Sequence, residues 1–299
     1  MKLAFSVALL TALVAASIAA PQLATPQPQA SFDNFRHGTV VVAGALDDEA
    51  LIAADSRGKA THDKFDDKDC KLSNYSGKVI FGSAGLRRLG MSIDGKRHDW
   101  DSHVIAKQAA MAAIASHSES PARATAEGWR DCALDLFTKA LKGNPEGFVR
   151  MFAPVGALKD NFTQAVFADV ENGRARIFLV ELHLAHPPQQ LPSIHAKFEE
   201  LPQQNATVMS FNSVTNEFIS GQNPKFNQIK IAWQSSLGFI SPHDYYFRYL
   251  NQLAVWSVEF ASDFYVGEPV GVGGAVDVVD IRPSGVRWLS RKPNCKEVE

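Results

Sequence analysis

The chain has 299 residues, 45% hydrophobic and 21% charged, enough to bury the core of one domain of about 250 residues. Its formal net charge of −2 comes with no basic block and no interleaving of basic and aromatic residues, which excludes an electrostatic nucleic-acid binder. From the N-terminus, Lys2 precedes an uncharged, largely apolar run from Leu3 to Ala20 that ends in small residues. This reads as a secretory signal over 1–20, because a run of about 18 residues rich in Ala and Ser is short for a membrane-spanning helix. The folded protein is therefore expected to be secreted or periplasmic, with no stable membrane anchor. Residues 21–38 contain the Pro/Gln-rich PQLATPQPQASFD and read as an extended, poorly ordered tether or propeptide.

The next stretch organises the rest. Thr39 to Ala45 (TVVVAGA) is a β-branched run of strand type, LDDE at 46–49 turns it, and ALIAADS at 50–56 returns. Period-two alternation puts Leu51, Ala53 and Asp55 on one face of the returning strand. A carboxylate at the end of an apolar strand needs a cation or donors, since burying it unpaired is costly. Lys71 and Arg57 are the nearby candidates. A third apolar run, KVIFGSAG at 78–85, ends in residues small enough to let backbone approach a ligand.

Beyond Gly85 the pattern predicts helices over 101–118 and 124–143. A hairpin follows at 163–170 and 174–182 about Asn172-Gly173, then a strand at 208–214 and a helix at 245–264. GVGGAVDVVDIRPSGVRWL closes the chain as two strands about a Pro-Ser-Gly turn. Strands, then helices, then strands suggest two packed sheets with helices outside, an α+β architecture. Three cysteines, Cys70, Cys132 and Cys295, allow one bridge whose pairing the sequence leaves open. Cys70 beside Lys71 reads as a cation-favoured thiolate or, more simply, as a small half-buried residue. Sequons stand at Asn74, Asn161 and Asn205.

The residues at 38–85 resemble the proteasome β-subunit family of N-terminal nucleophile hydrolases. Asp55, Lys71 and Gly85 follow Thr39 by 16, 32 and 46 residues, the separations that family uses for its nucleophile, aspartate, lysine and oxyanion-facing glycine. The resemblance implies a four-layer αββα sandwich over 39–299, two antiparallel sheets between helical layers. It also implies a threonine endopeptidase that frees Thr39 by self-cleavage at Gly38-Thr39, takes a peptide or protein substrate, and assembles into a homo-oligomeric ring. An N-terminal threonine carries its own base, an α-amine with an ordinary pKa of about 8. By the same resemblance Ser213 supports the threonine, and Gly58, Asp69 and Ser83 border the substrate, small and acidic positions that suit a roomy or cation-tolerant pocket.

Three positions depart from the family pattern, the first being Ser213, which stands in FNSVTNEF without the two glycines that flank the family's supporting serine. Where it has an aspartate and a serine before Gly-Gly, this chain has Pro269 and Val272 before Gly273 and Gly274, with Glu268 adjacent. A catalytically inactive subunit acting in assembly or binding, or an amidase on small amides, therefore stays open beside the peptidase. No cofactor is called for. Glu181, His183 and His186 have metal-ligand chemistry, but His183 and His186 have opposite strand parity. His98, Asp101 and His103 read as a polar loop at a helix start.

Overall fold

The computed structural model describes residues 31–37, 40–60, 65–66, 69–152, 161–187, 189–210, 224–264 and 273–295. Among the described residues the strands form three antiparallel five-stranded sheets, accompanied by five α-helices. The first sheet has the order β13-β2-β3-β14-β15. It is built from β2 (Val40–Leu46), β3 (Glu49–Ala54), β13 (Ala206–Ser210), β14 (Asp277–Arg282) and β15 (Gly285–Ser290). The second, β12-β11-β10-β7-β6, uses β6 (Leu72–Tyr75), β7 (Val79–Gly85), β10 (Asn161–Glu171), β11 (Arg174–Ala185) and β12 (Ser193–Glu200). The third, β5-β4-β1-β8-β9, uses β1 (Ser31–His37), β4 (Gly58–Ala60), β5 (Phe65–Asp66), β8 (Arg88–Ile93) and β9 (Lys96–Asp101).

Every residue of β2, β3 and β7 is buried, so the period of two does not divide core from solvent. It divides one apolar cluster from another. Val41, Ala43 and Ile52 join Ile80, Val166 and Ile177 between the first and second sheets. On the other face of the first sheet, Val42 and Leu51 meet Phe226, Leu250 and Leu253 from α4 (Pro224–Ser236) and α5 (Pro242–Phe264). On the other face of the second sheet, Phe81, Phe167 and Val180 meet Ala110, Trp129 and Phe148 from α1 (Ser102–Ala115), α2 (Pro121–Gly143) and α3 (Pro145–Phe152). Each fully buried Phe or Leu in these clusters contributes roughly 1.5–3 kcal/mol.

Local signals explain most boundaries. Asp101 caps α1 by accepting from the amides of His103 and Val104, and Ser120 caps α2 with Pro121 in its first turn. Asn172 and Gly173 both have positive φ in the two-residue turn joining β10 to β11.

Three expectations change. His98 and Asp101 lie in β9 rather than in a polar loop, and His103 is buried in α1 with its Nδ1 2.9 Å from the Ser73 hydroxyl. The β8–β9 hairpin turns on Asp94-Gly95, both at positive φ, a sequence signal that the polar character of KRHDWD obscured. Within the stretch expected to be a loose tether, residues 31–37 form β1, hydrogen-bonded to β4 on one side and β8 on the other. Cys70 is no thiolate, because it is bonded to Cys295 with a Cα–Cα separation of 5.4 Å. Cys132 is exposed and unbridged. Of the sequons, Asn161 is only 4% exposed, the Asn74 side chain accepts from the Gly77 amide, and Asn205 is exposed. No helix among the described residues is long and apolar enough to cross a membrane.

Candidate active site

Strand β3 ends at Ala54, and the next residue turns its carboxylate back on the strand pair. The Asp55 amide donates to the Val40 carbonyl, and the Val40 amide donates to Asp55 Oδ1 at 2.9 Å. Lys71, immediately before β6, donates its Nζ to the same Oδ1 at 2.7 Å and to the Arg57 carbonyl at 2.5 Å. Oδ2 accepts from the amides of Gly273 at 2.9 Å and Arg57 at 3.3 Å. Both residues of the ion pair are 1% exposed. Such a pair holds together only if its remaining polar atoms are also satisfied, and here three main-chain amides do that for the carboxylate. Burial pushes the Lys71 ammonium below its usual range, while the charges of Asp55 and Asp69 pull it back up and that of Lys292 pushes it down.

Gly273 has two reasons to be glycine. Its φ is +155°, and a Cβ there would come within 2.6 Å of the Arg57 guanidinium carbon. The close approach lets the Gly273 amide reach Asp55 while its carbonyl accepts from the amides of Ser56 and Arg57. Gly85 closes β7 at φ +83°, paired with Thr163 of β10, in a region a side chain rarely tolerates. The following residue is fixed as well, since the Leu86 amide donates to the Phe162 carbonyl and the Thr163 hydroxyl to that of Leu86.

Asp55 and Lys71 are thus brought together, and Arg57 serves through its main chain rather than as the cation for Asp55. Thr39, Ser213, Glu268, Pro269 and Val272 lie outside the described residues, as does Gly38. Of the substrate positions, Gly58 opens β4, Ser83 is 4% exposed on β7, and Asp69 pairs with Arg87 at 2.7 Å. The Asp69 charge is therefore already matched within the chain. The contributions of Gly273, Arg87 and Lys292 were missed. A bond made by a main-chain amide leaves no side-chain signature, and the only trace of Gly273 is the glycine pair itself. His183 Nε2 lies 3.4 Å from Glu181 Oε2, and His186 lies beyond the end of β11. Among the described residues no group of three His, Cys, Asp or Glu side chains could hold a metal ion.

No family model matches the chain, and no curated protein matches it in sequence. Among solved structures it is similar to the Anbu (Gly-1) mutant from Hyphomicrobium sp. strain MC1, at 15% identity and a TM-score of 0.42 over 85% of this chain and 88% of that one. Residue geometry, rather than this distant likeness, carries the functional reading.

Proposed function

We propose that the chain is an exported hydrolase of the N-terminal nucleophile type, similar to proteasome β-subunits, whose nucleophile is Thr39 freed by self-cleavage at Gly38-Thr39. The observation that carries this reading is the oxygen shared by two donors. Val40, the residue that follows Thr39 in the chain, gives its amide to Asp55 Oδ1, and the Lys71 ammonium holds that same atom. Two of the three ammonium N–H groups go to Asp55 and Arg57, and the third is the one a Thr39 oxygen would take.

In the precursor, the Thr39 hydroxyl attacks the Gly38 carbonyl. The acyl group shifts from nitrogen to oxygen, and water opens the ester to leave a free α-amine. That amine is then the general base for attack on a substrate carbonyl, with the Lys71 charge favouring the deprotonated hydroxyl. The Gly85 amide is assigned to the oxyanion, a role worth about 3–4 kcal/mol where one such donor is removed from other hydrolases. An extended peptide suits the site as substrate, because β1 fills a position one strand wide between β4 and β8 that a peptide can fill by strand addition. The order helices, sheet, sheet, helices given by the three apolar clusters fits the αββα sandwich of that family, and ring assembly would follow with it.

A second reading is favoured by Pro269 and Val272, which cannot hydrogen-bond a threonine amine through their side chains. On that reading the chain is a non-catalytic subunit of the same fold. Sequencing the N-terminus of the purified protein separates the two. A start at Thr39, lost in Thr39→Ala, supports the hydrolase, including its amidase variant on small amides. An upstream start unchanged in Thr39→Ala overturns it.

A further inference from the structure

The last described segment of the chain returns to the site. Beyond β15, residues 291–295 form a compact hook in which the Cys295 amide donates to the Lys292 carbonyl and the Arg291 guanidinium donates to the Cys295 carbonyl. Three contacts of the hook bear on the site. Cys295 is bonded to Cys70, the residue before Lys71. Lys292 Nζ donates to the Asp69 carbonyl at 2.6 Å. Lys292 also grips Asp277, through its amide to Oδ1 at 2.8 Å and through Nζ at 3.0 Å from Oδ2. Asp277 in turn sits opposite Ala54 in the β14–β3 pairing, one residue before Asp55. The hook therefore ties the segment that carries Lys71 to the strand end that carries Asp55. Further support between those segments is a main-chain bond, from the Asp69 amide to the Ser56 carbonyl.

We infer that Lys292 and the Cys70–Cys295 disulfide are positioning groups for the Asp55–Lys71 pair, so that a dithiol reductant loosens the site. The effect on reactivity rests on the hydrolase reading, whereas the mechanical tie does not. In the reductive step, a thiolate attacks the half-buried Cys70 sulfur, since Cys295 is 2% exposed. The S–S bond breaks, Cys70 and Cys295 each become a thiol, and the dithiol supplies two electrons and two protons as it closes to its own disulfide. Lys292 then holds a carbonyl and a carboxylate without the covalent anchor, and the Asp69–Lys71 segment is free to shift. A misplacement of about 1 Å in such a site costs up to roughly a hundredfold in rate.

The test uses the full chain with Cys132→Ser, oxidised or treated with dithiothreitol and alkylated. Amide hydrogen exchange is followed at residues 69–75, and labelling by a peptidyl epoxyketone, which reacts with a hydroxyl and an adjacent amine, is followed as a function of its concentration. Reduction is expected to speed exchange at 69–75 by about tenfold or more while leaving the β10–β11 hairpin unchanged. It is also expected to lower the limiting labelling rate about tenfold to a hundredfold at an unchanged half-saturating concentration. Cys295→Ser should behave as the reduced form and be indifferent to dithiothreitol. Lys292→Met should fall with it, and Lys292→Arg should be rescued. Unchanged exchange at 69–75 on reduction overturns the tie. Faster exchange with an unchanged limiting rate overturns positioning and leaves only a structural bridge. Labelling absent in every form removes the hydrolase reading, and exchange alone then decides the tie.

Discussion

Strand β3 has a buried carboxylate at each end, and the two are held in opposite ways. Just past its C-terminal end, Asp55 receives three main-chain amides and an ammonium that is itself 1% exposed. At its first residue, Glu49 is 3% exposed but has the guanidinium of Arg282 at 2.5 Å and His243 at 3.4 Å. Those two side chains are 38% and 39% exposed. Burial pushes the Glu49 carboxyl up from its ordinary 4.5, only partly offset by Arg282, and the neighbouring charge of Asp280 adds to the rise. A carboxylate whose donors are backbone keeps its geometry whenever the sheet is folded. One whose donors are long, solvent-facing side chains depends on pH and salt. Fixed geometry belongs where chemistry is proposed, and the softer arrangement sits at the far end of the same strand.

The contrast can be broken or sharpened by substitution. Asp55→Asn strands a buried ammonium and should lower the unfolding free energy by about 3–5 kcal/mol in urea titrations, with loss of any start at Thr39. Lys71→Met replaces the cation with a side chain of similar length and leaves the three amides on the carboxylate. It should cost less, about 1–3 kcal/mol, while removing reactivity as completely. An equal or greater loss from Lys71→Met would mean that the amides do not sustain Asp55 alone.

Glu49→Gln tests the other end through pH. Because the folded carboxyl binds its proton more tightly than the unfolded one, wild-type stability falls as pH rises from 4.5 through the raised folded value. The Gln variant lacks that loss, so its stability relative to wild type should climb over the same window in denaturant titrations at successive pH values. A difference that stays flat would show that burial does not raise the Glu49 carboxyl above its unfolded value. The smallest effect is expected for Arg287→Gln. Its side chain is 56% exposed, and Asp280 keeps Arg282 at 3.2 Å, so the change should stay below about 1 kcal/mol.

The pairing of Asp55 with Lys71 was legible because a lone carboxylate ending an apolar strand demands a cation, and the spacing from Thr39 pointed to the right one. Gly85 was legible as a small residue at a strand end, and its positive φ supplies the physical reason. The donors on Asp55 were not legible. Val40, Arg57 and Gly273 act through main-chain amides that any residue but proline carries. The pairing of Cys70 with Cys295 spans 225 residues, and nothing local chooses it over Cys132. Helix α4 escaped because only Phe226 among its residues is buried, which leaves little periodic signal. The boundary of β3 also differed, since it ends at Ala54, and beyond it the Asp55 carboxylate and the Ser56 amide both meet Gly273.

The place of β1 has a consequence for the protein's solubility. It is the middle strand of its sheet, with β4 and β8 as its two neighbours and no direct pairing between those two. Opening the bond before Thr39 would sever that middle strand from everything C-terminal to it. Should the fragment depart, two margins of bare amides and carbonyls would face each other across a gap 1 strand wide, adhesive to any extended chain. Processing without a replacement strand would therefore trade a closed surface for a sticky one, and a preparation that matures in the test tube should be watched for self-association as closely as for turnover.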